Sequence, residues 1–444
     1  MAQTIEGFVG AALDEARMSP IHWRVFALIS AGYFFDVCDY VILGALIPDM
    51  VRSGFATPAQ IATVASATLF GLFVGTLAQG EFTDRFGRKT VYQFNLLLYG
   101  LATIAAGFSP NFVWLAVLGF IAGLGLGAEQ PLCFAYAGEY APKNIRGRFI
   151  AGVQMIGGAW SWPLSTLFAL GFRDILGWRG IWIVIGICAL VVFLFRFSLP
   201  ESPRWLATHG RGDRALDLLR RMGIPGPREQ LATDAASDTH SDPIGVVFRL
   251  YRGRVIAGMV CFVAFFGVAL GLGTWLPSMM ADRGMTITKS LTYTFGMTLA
   301  FPCASLCMMY ALERFGRKPT SIVSFVLAGG FAVAFVNAAS DTMLLVVGFC
   351  MIFFIQLAGN SMQIFASEVF PTNARASGFG IAQAAGRLGT AFIIPAILWI
   401  QTGYGTGAVF AAIAVVLLIA AFTVKLLGPE SRGVPLDVLA PPTG

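Results

Sequence analysis

Two carboxylates stand three residues apart in an otherwise apolar stretch, "GYFFDVCDYVILGALIP" at residues 32–48, where Asp36 and Asp39 are the only charges. A third acid, Glu129, closes the glycine-rich run "GFIAGLGLGAEQP" (119–131), and a lone arginine, Arg387, sits in "GIAQAAGRLGTAF" (380–392). On a helix of 3.6 residues per turn Asp36 and Asp39 are about 60° apart, so both can face one cavity. Burial and a like charge nearby each favour the neutral form of a carboxyl, which equips such a pair to bind and release a proton. A guanidinium in the same surroundings can grip a carboxylate through two hydrogen bonds. The three histidines, His22, His209 and His240, lie outside the deep spans, which leaves the carboxylates as the better proton carriers.

These groups must be positioned inside a membrane. Of the 444 residues, 57% are hydrophobic and only 12% charged, about half the charge of an ordinary soluble domain. Mean hydropathy is +0.74. Runs of roughly 20 apolar residues, each able to cross a hydrocarbon core of about 30 Å, recur twelve times. They begin near Trp23, Ile61, Val91, Phe112, Phe149 and Ile181, then near Val255, Leu291, Ser321, Met343, Ser377 and Gly405. An ionisable group at that depth costs roughly 2.5–3.5 kcal/mol on insertion scales, so Asp36, Asp39, Glu129 and Arg387 are functional candidates. The first 22 residues are polar and acidic with no continuous apolar core, so no cleavable signal is expected and the first helix serves for insertion. With both termini placed in the cytoplasm, 24 of the 30 basic residues fall inside, counting Arg196 through Arg254 as one basic stretch. The net charge of +6 is therefore a topology signal and not a nucleic-acid footprint.

The chain repeats itself at an offset of 229. "DRFGRK" at 84–89 returns as "ERFGRK" at 313–318, Glu139, Pro142 and Arg146 map onto Glu368, Pro371 and Arg375, "PES" at 200–202 onto 429–431, and Pro48 onto Pro277. A duplicated six-helix unit follows, with two parallel halves related by an axis along the membrane normal. The expected division is an N-terminal bundle at 1–203, a cytoplasmic linker at 204–254, and a C-terminal bundle with its tail at 255–444. In the linker, "RWLATHGRGDRALDLLRRMG" reads as basic and amphipathic, with Trp205, Leu206, Leu216, Leu218 and Leu219 available for an apolar face, so short cytoplasmic helices and then a flexible polar tether are expected. At the same offset Asp36 maps to Phe265 and Asp39 to Val268, so the shared scaffold does not require the acids. The seven cysteines contain no CxxC pair, and Cys303 and Cys307 read as small apolar filling. No phosphate-cradling GxxxxGK[ST] loop and no nucleophile, histidine and acid set is present. No enzyme activity, cofactor or metal is expected.

"GEFTDRFGRK" (80–89) resembles the loop signature between helices 2 and 3 of the major facilitator superfamily, and "ERFGRK" its degenerate copy between helices 8 and 9. "EYAPKNIRGR" (139–148) and "PESPRW" (200–205) resemble further signatures of its sugar-porter-like branch and organic-acid relatives. The resemblance covers essentially the whole chain. It implies an all-α integral membrane protein with twelve transmembrane helices in two six-helix bundles. It further implies that Asp84, Arg85, Arg88, Glu139, Arg148, Glu201, Glu313, Arg314, Arg317, Glu368 and Arg375 form a cytoplasmic gate, the alternative being a charge cluster that only sets topology. "FDVCDY" is similar to the acidic signature in helix 1 of aromatic-acid:proton and related metabolite symporters, although Cys38 stands where an aromatic residue is usual. Arg387 resembles the helix 11 arginine of those carriers, and Gly119 stands where relatives commonly have an arginine.

Tyr33, Tyr40, Gln154, Trp160, Trp162, Trp275, Gln356, Asn360, Gln363 and Gln383 complete a candidate cavity whose aromatic walls and sparse amides suit a flat, partly apolar ligand. Trp160 and Trp162 flank Ser161 and diverge on the helix, so one of them can face lipid. The combined reading is a proton-coupled secondary transporter of a small organic anion, aromatic acids included. Asp36, Asp39 and Glu129 are its candidate proton sites, and Arg387 grips the substrate unless it is neutralised by one of those acids. A sugar or polyol symporter, a proton-linked exporter of drugs or metabolites, and a receptor built on a transporter fold are the rivals. The expected setting is a bacterial inner membrane with both termini cytoplasmic. The expected partners are the substrate, protons and the lipid bilayer, and the expected state is a monomer.

Overall fold

The computed structural model describes residues 4–226, 249–282, 284–368 and 372–428, apart from the side chains of 79–81, 84–85, 128, 309, 313, 366–368 and 372–377. Among the described residues every regular element is helical. A short α1 (Ile5–Asp14) precedes α2 (Pro20–Arg52), α3 (Pro58–Phe86), α4 (Arg88–Gly107), α5 (Phe112–Tyr140), α6 (Arg146–Val153) and α7 (Ser161–Arg196). A π-helical turn, Gln154–Ala159, joins α6 to α7. After α8 (Pro203–Thr208) and α9 (Gly212–Arg221) come α10 (Arg252–Asp282), α11 (Ile287–Thr298), α12 (Ala300–Phe315), α13 (Arg317–Val336), α14 (Asp341–Glu368) and α15 (Thr372–Leu427).

Nine helical stretches among the described residues are long and apolar enough to cross a bilayer. Two of them, Arg146–Arg196 and Gly378–Leu427, leave helical geometry at Gly177 (φ 63°) and Gly405 (φ 84°), and each supplies two crossings. With α4 these make the twelve expected spans, arranged as two six-helix bundles. The internal repeat reappears in the helix ends. Pro58–Phe86 is matched by Ile287–Phe315, and Arg88–Gly107 by Arg317–Val336, at the same offset of 229. Gly87 (φ 92°) and Gly316 (φ 87°) make the turns between them, in a backbone region that strains any residue with a Cβ.

Close packing inside the first bundle follows from glycine spacing. Gly71 and Gly75 of α3 face the backbones of Phe120 and Leu124, while Gly123 and Gly127 of α5 face those of Thr68 and Leu72. A Cβ on any of the four would stand 2.2 Å from a carbonyl oxygen, so only glycine allows this reciprocal small-xxx-small contact.

The two bundles meet at mid-depth and on the face away from the termini. There α2 crosses α10 so closely that a Cβ on Gly44 would lie 2.0 Å from the Gly273 carbonyl. Trp162 stacks on Phe301 at 4.2 Å, and Ser66 donates to the Ala391 carbonyl at 2.7 Å. Gly44→Leu is therefore expected to wedge this face open. Faster labelling of a Thr274→Cys reporter by an impermeant maleimide would show it, and unchanged labelling would mean that the crossing repacks.

The periphery adds two features and corrects one expectation, that of the cysteines. Within the first 22 residues Val9 and Leu13 of α1 are fully buried, and Asp14 accepts from Arg146 and from Arg204 (2.7 Å), fastening α1 to the start of α6 and to α8. The basic linker stretch forms two short helices, α8 and α9, separated at Gly210 (φ 67°), with Trp205, Leu206, Leu218 and Leu219 buried and Leu216 half-buried. Cys303 and Cys307 are exposed and fill nothing.

Candidate functional site

Arg387 lies on α15 between glycines that let the helix press against α10. A Cβ on Gly386 would meet Phe262 and Phe266 at 2.8 Å, and one on Gly389 would meet Val263 at the same distance. The arginine faces the other way, across the seam into the first bundle, and is only 4% exposed. Its Nη1 donates to Thr76 Oγ1 and to the Gly127 carbonyl (2.7 Å), and its Nη2 to Gln130 Oε1 (2.9 Å). All three partners are uncharged, and among the described residues Arg387 forms no ion pair. The α3–α5 glycine contact brings Thr76 and the Gly127 carbonyl together, 2.9 Å apart.

A chain of hydrogen bonds continues from there. Gln130 Nε2 donates to the Tyr33 hydroxyl (2.9 Å), which donates to Gln154 Oε1 (3.3 Å). Gln154 opens the π-helical turn, and Gly157 and Gly158 in that turn leave room for the Tyr33 ring.

The two aspartates part company. Asp39 accepts from Thr103 Oγ1 at 2.8 Å and lines a cavity of about 50 Å³, whose other lining residues include Tyr40, Thr68, Gly119 and Trp182. That volume suits one or two waters and not a substrate. Asp36 is buried with its Oδ1 unbonded. The charged groups around it are Glu129, Arg387, Asp39 and Arg196. The expectation that both acids face one cavity is thus corrected. The 60° between them is enough to send Asp39 toward α4 and leave Asp36 in the field of Arg387.

Glu129 is not an isolated acid either. It forms an ion pair with Arg196, which comes from the end of α7 and is fully buried. Arg196 also lies over the Tyr92 ring at 3.8 Å and donates to the carbonyls of Leu28 and Tyr92, both at 3.3 Å. Gly32 makes this possible, since a Cβ there would stand 1.5 Å from Arg196 Nη2. Arg196 had been grouped with the basic linker stretch; its position inside the bundle corrects that. It is the only charge in "IWIVIGICALVVFLFRFSLP" (181–200), a signal present in the sequence but not read. Thr76, Thr103, Gln130 and Tyr92 were missed as well.

The remaining candidates vary. Trp160 is 40% exposed, whereas Trp162 is buried at the seam with Tyr40 at 6.3 Å, so the pair diverges as expected but Trp162, not Trp160, is the inward member. Trp275 is held by its Nε1 bond to the Ile394 carbonyl (3.1 Å). Gln356 donates to Asn360 Oδ1 (3.0 Å), and Asn360 to Ser305 Oγ (3.2 Å). Gln363 is half-buried. Gln383, one helical turn before Arg387 on the same face, is buried with neither amide atom bonded.

On the terminal face Arg88 pairs with Glu139 at 3.2 Å. Glu201 takes the Lys89 amide with both oxygens (3.1 and 3.2 Å), and so caps α4 through the Gly87 turn. Burial pushes the Glu201 carboxyl above its ordinary range, against the pull of the Ser202 and Lys89 amides. Arg148 and Arg314 are exposed and Arg317 is half-buried. The side chains of Asp84, Arg85, Glu313, Glu368 and Arg375 lie outside the described residues.

Two six-helix bundles closed around buried charges at their seam define a membrane transporter of the major facilitator class, not an enzyme. A family model described as "Sugar (and other) transporter" matches residues 40–440, and the chain belongs to that family. A niacin transporter of Acinetobacter baylyi is 30% identical over 438 residues, covering 96% of this chain and 98% of its own. A 4-hydroxybenzoate transporter of the same organism is 27% identical over 406 residues, covering 86% and 85%. The xylose transporter XylE of E. coli, in a partially occluded inward open conformation, superposes with a TM-score of 0.78 at 19% identity, over 94% of this chain and 100% of that one.

Proposed function

We propose that the chain is a proton-coupled symporter of a small organic anion, with aromatic monocarboxylates as the favoured class. The observation that carries this reading is Arg387, a buried guanidinium at the seam whose partners are all neutral. A permanent cation there has neutral hydrogen-bond partners and, among the described residues, no carboxylate in direct contact until an anion arrives, and a sugar would not need it. The relatives that carry niacin and 4-hydroxybenzoate agree with that chemistry. Gln383, Tyr33, Tyr40, Gln154, Trp162, Trp275, Gln356 and Asn360 supply the surrounding contacts, and the exposed Trp160 does not. Asp36 carries the proton, while Asp39 and Glu129, already engaged by Thr103 and Arg196, tune its surroundings.

Alternating access then consists of unit 1–203 rocking against unit 255–444, with 204–254 as tether, in a bacterial inner membrane with both termini cytoplasmic. The charged cluster around Arg88, Glu139 and Glu201 gates that face, and one chain holds a complete pathway. Uptake in proteoliposomes under an imposed pH gradient tests the reading. Arg387→Lys should weaken substrate affinity by about tenfold with little change in thermal stability, because an ammonium lacks the planar fork. Equal affinity would remove the arginine from the site, and stabilisation by neutral sugars but not by carboxylates would reject the anion.

A further inference from the structure

We propose that Thr76, Gln130 and the Gly127 carbonyl compete with the substrate for Arg387, so that an anion must break a bond between the two bundles in order to bind. The inference rests on the reading of Arg387 as the anion site. It adds that the empty carrier is fastened by the same group that recognises its cargo.

The three acceptors all belong to the first bundle and Arg387 to the second, so every one of these bonds spans the seam. A carboxylate meets a guanidinium side-on along an edge of two nitrogens. Both usable edges of Arg387 include a nitrogen already bonded to the first bundle. The acceptors are held ready for it. The Thr76 hydroxyl spends its own proton on the carbonyl of Leu72 (2.7 Å) or Gly127 (2.9 Å), which leaves its lone pair for Arg387. The Gly127 carbonyl reaches the seam because α3 and α5 touch through glycine. Gln130 is oriented by its bond to Tyr33, which leaves its oxygen toward the arginine.

These acceptors are neutral, so an ionised carboxylate outbids them whereas a neutral ligand gains little by displacing them. Each resting bond still has to be given up, and the apparent affinity falls by the fraction of carriers in which Arg387 is occupied. Thr76 and Gln130 are thus positioning residues whose removal should tighten binding. Loss of a substrate contact would do the opposite.

Equilibrium binding of nicotinate, benzoate and 4-hydroxybenzoate to the purified full chain in lipid nanodiscs tests this, with wild type, Thr76→Val, Thr76→Ser, Gln130→Leu and Arg387→Met compared. Thr76→Val is expected to bind roughly three- to tenfold tighter than wild type. Thr76→Ser, which keeps the oxygen, should match wild type. Gln130→Leu gives the same readout should Thr76→Val fail to fold. Affinity equal to or weaker than wild type in Thr76→Val, with binding lost in Arg387→Met, overturns the competition and leaves the anion site standing. Full binding by Arg387→Met, or binding of none of the three acids by wild type, overturns both.

Discussion

Asp36→Asn is expected to abolish proton-driven accumulation of an anionic substrate, by at least about tenfold, while counterflow exchange between preloaded vesicles and medium survives. Asparagine has the shape of the neutral carboxyl but can neither take nor release a proton. A carrier locked in that form still moves substrate down its own gradient. Asp36 is singled out from its neighbours because its Oδ1 has no hydrogen-bond partner and its charged surroundings hold both acids, Glu129 and Asp39, and bases, Arg387 and Arg196. A substrate anion that takes Arg387 withdraws the positive charge that helps Asp36 stay ionised, and so favours proton uptake at the moment of binding. Asp39→Asn should behave differently. Thr103 can still donate to the amide oxygen, and the group lines only a water-sized cavity that is closed by Leu270, Thr274 and Ile394 of the second bundle, so accumulation should persist at a reduced rate. The opposite pattern, with Asp39→Asn inert and Asp36→Asn fully coupled, would transfer the proton role to Asp39.

The scaffold was legible because hydropathy and duplication are written residue by residue. Twelve spans, the offset of 229 and the turns at Gly87 and Gly316 need only the local chain and its echo. Arg387 was legible for the same reason, as a charge alone among small residues. Partner choice was not. Whether Arg196 turns into the bundle or out to the solvated end is decided by Gly32 on a helix more than 160 residues earlier, and nothing beside Arg196 encodes it. The two tryptophans show a second limit. The π-helical turn at Gln154–Ala159 inserts a residue into the helical register, so the faces of Trp160 and Trp162 cannot be assigned by counting at 3.6 residues per turn. The split between Asp36 and Asp39 is a third case, since angular separation says both could share a cavity and only Thr103 on α4 claims one of them.

Arg196→Met should be the most destabilising single change in the first bundle. Removing one member of a buried ion pair leaves the other charge without compensation, a loss of about 3–5 kcal/mol in comparable sites. Here the abandoned group is Glu129, whose other oxygen already lacks a partner. The guanidinium also joins α2 through the Leu28 carbonyl and α4 through Tyr92, so methionine removes a tie among four helices as well as a charge. Gly32→Val should reproduce most of the loss without touching either charge, because its Cβ would occupy the place of Arg196 Nη2. The double variant Glu129→Gln with Arg196→Met should recover much of the stability, since no charge is then left buried. Thermal unfolding in detergent distinguishes these cases. A midpoint unchanged in Arg196→Met would mean that Glu129 is neutral in the resting carrier, and would return it to the proton carriers beside Asp36. A marked fall, restored in the double variant, would mean that Arg196 keeps Glu129 ionised and leaves Asp36 as the acid at the seam still free to exchange its proton.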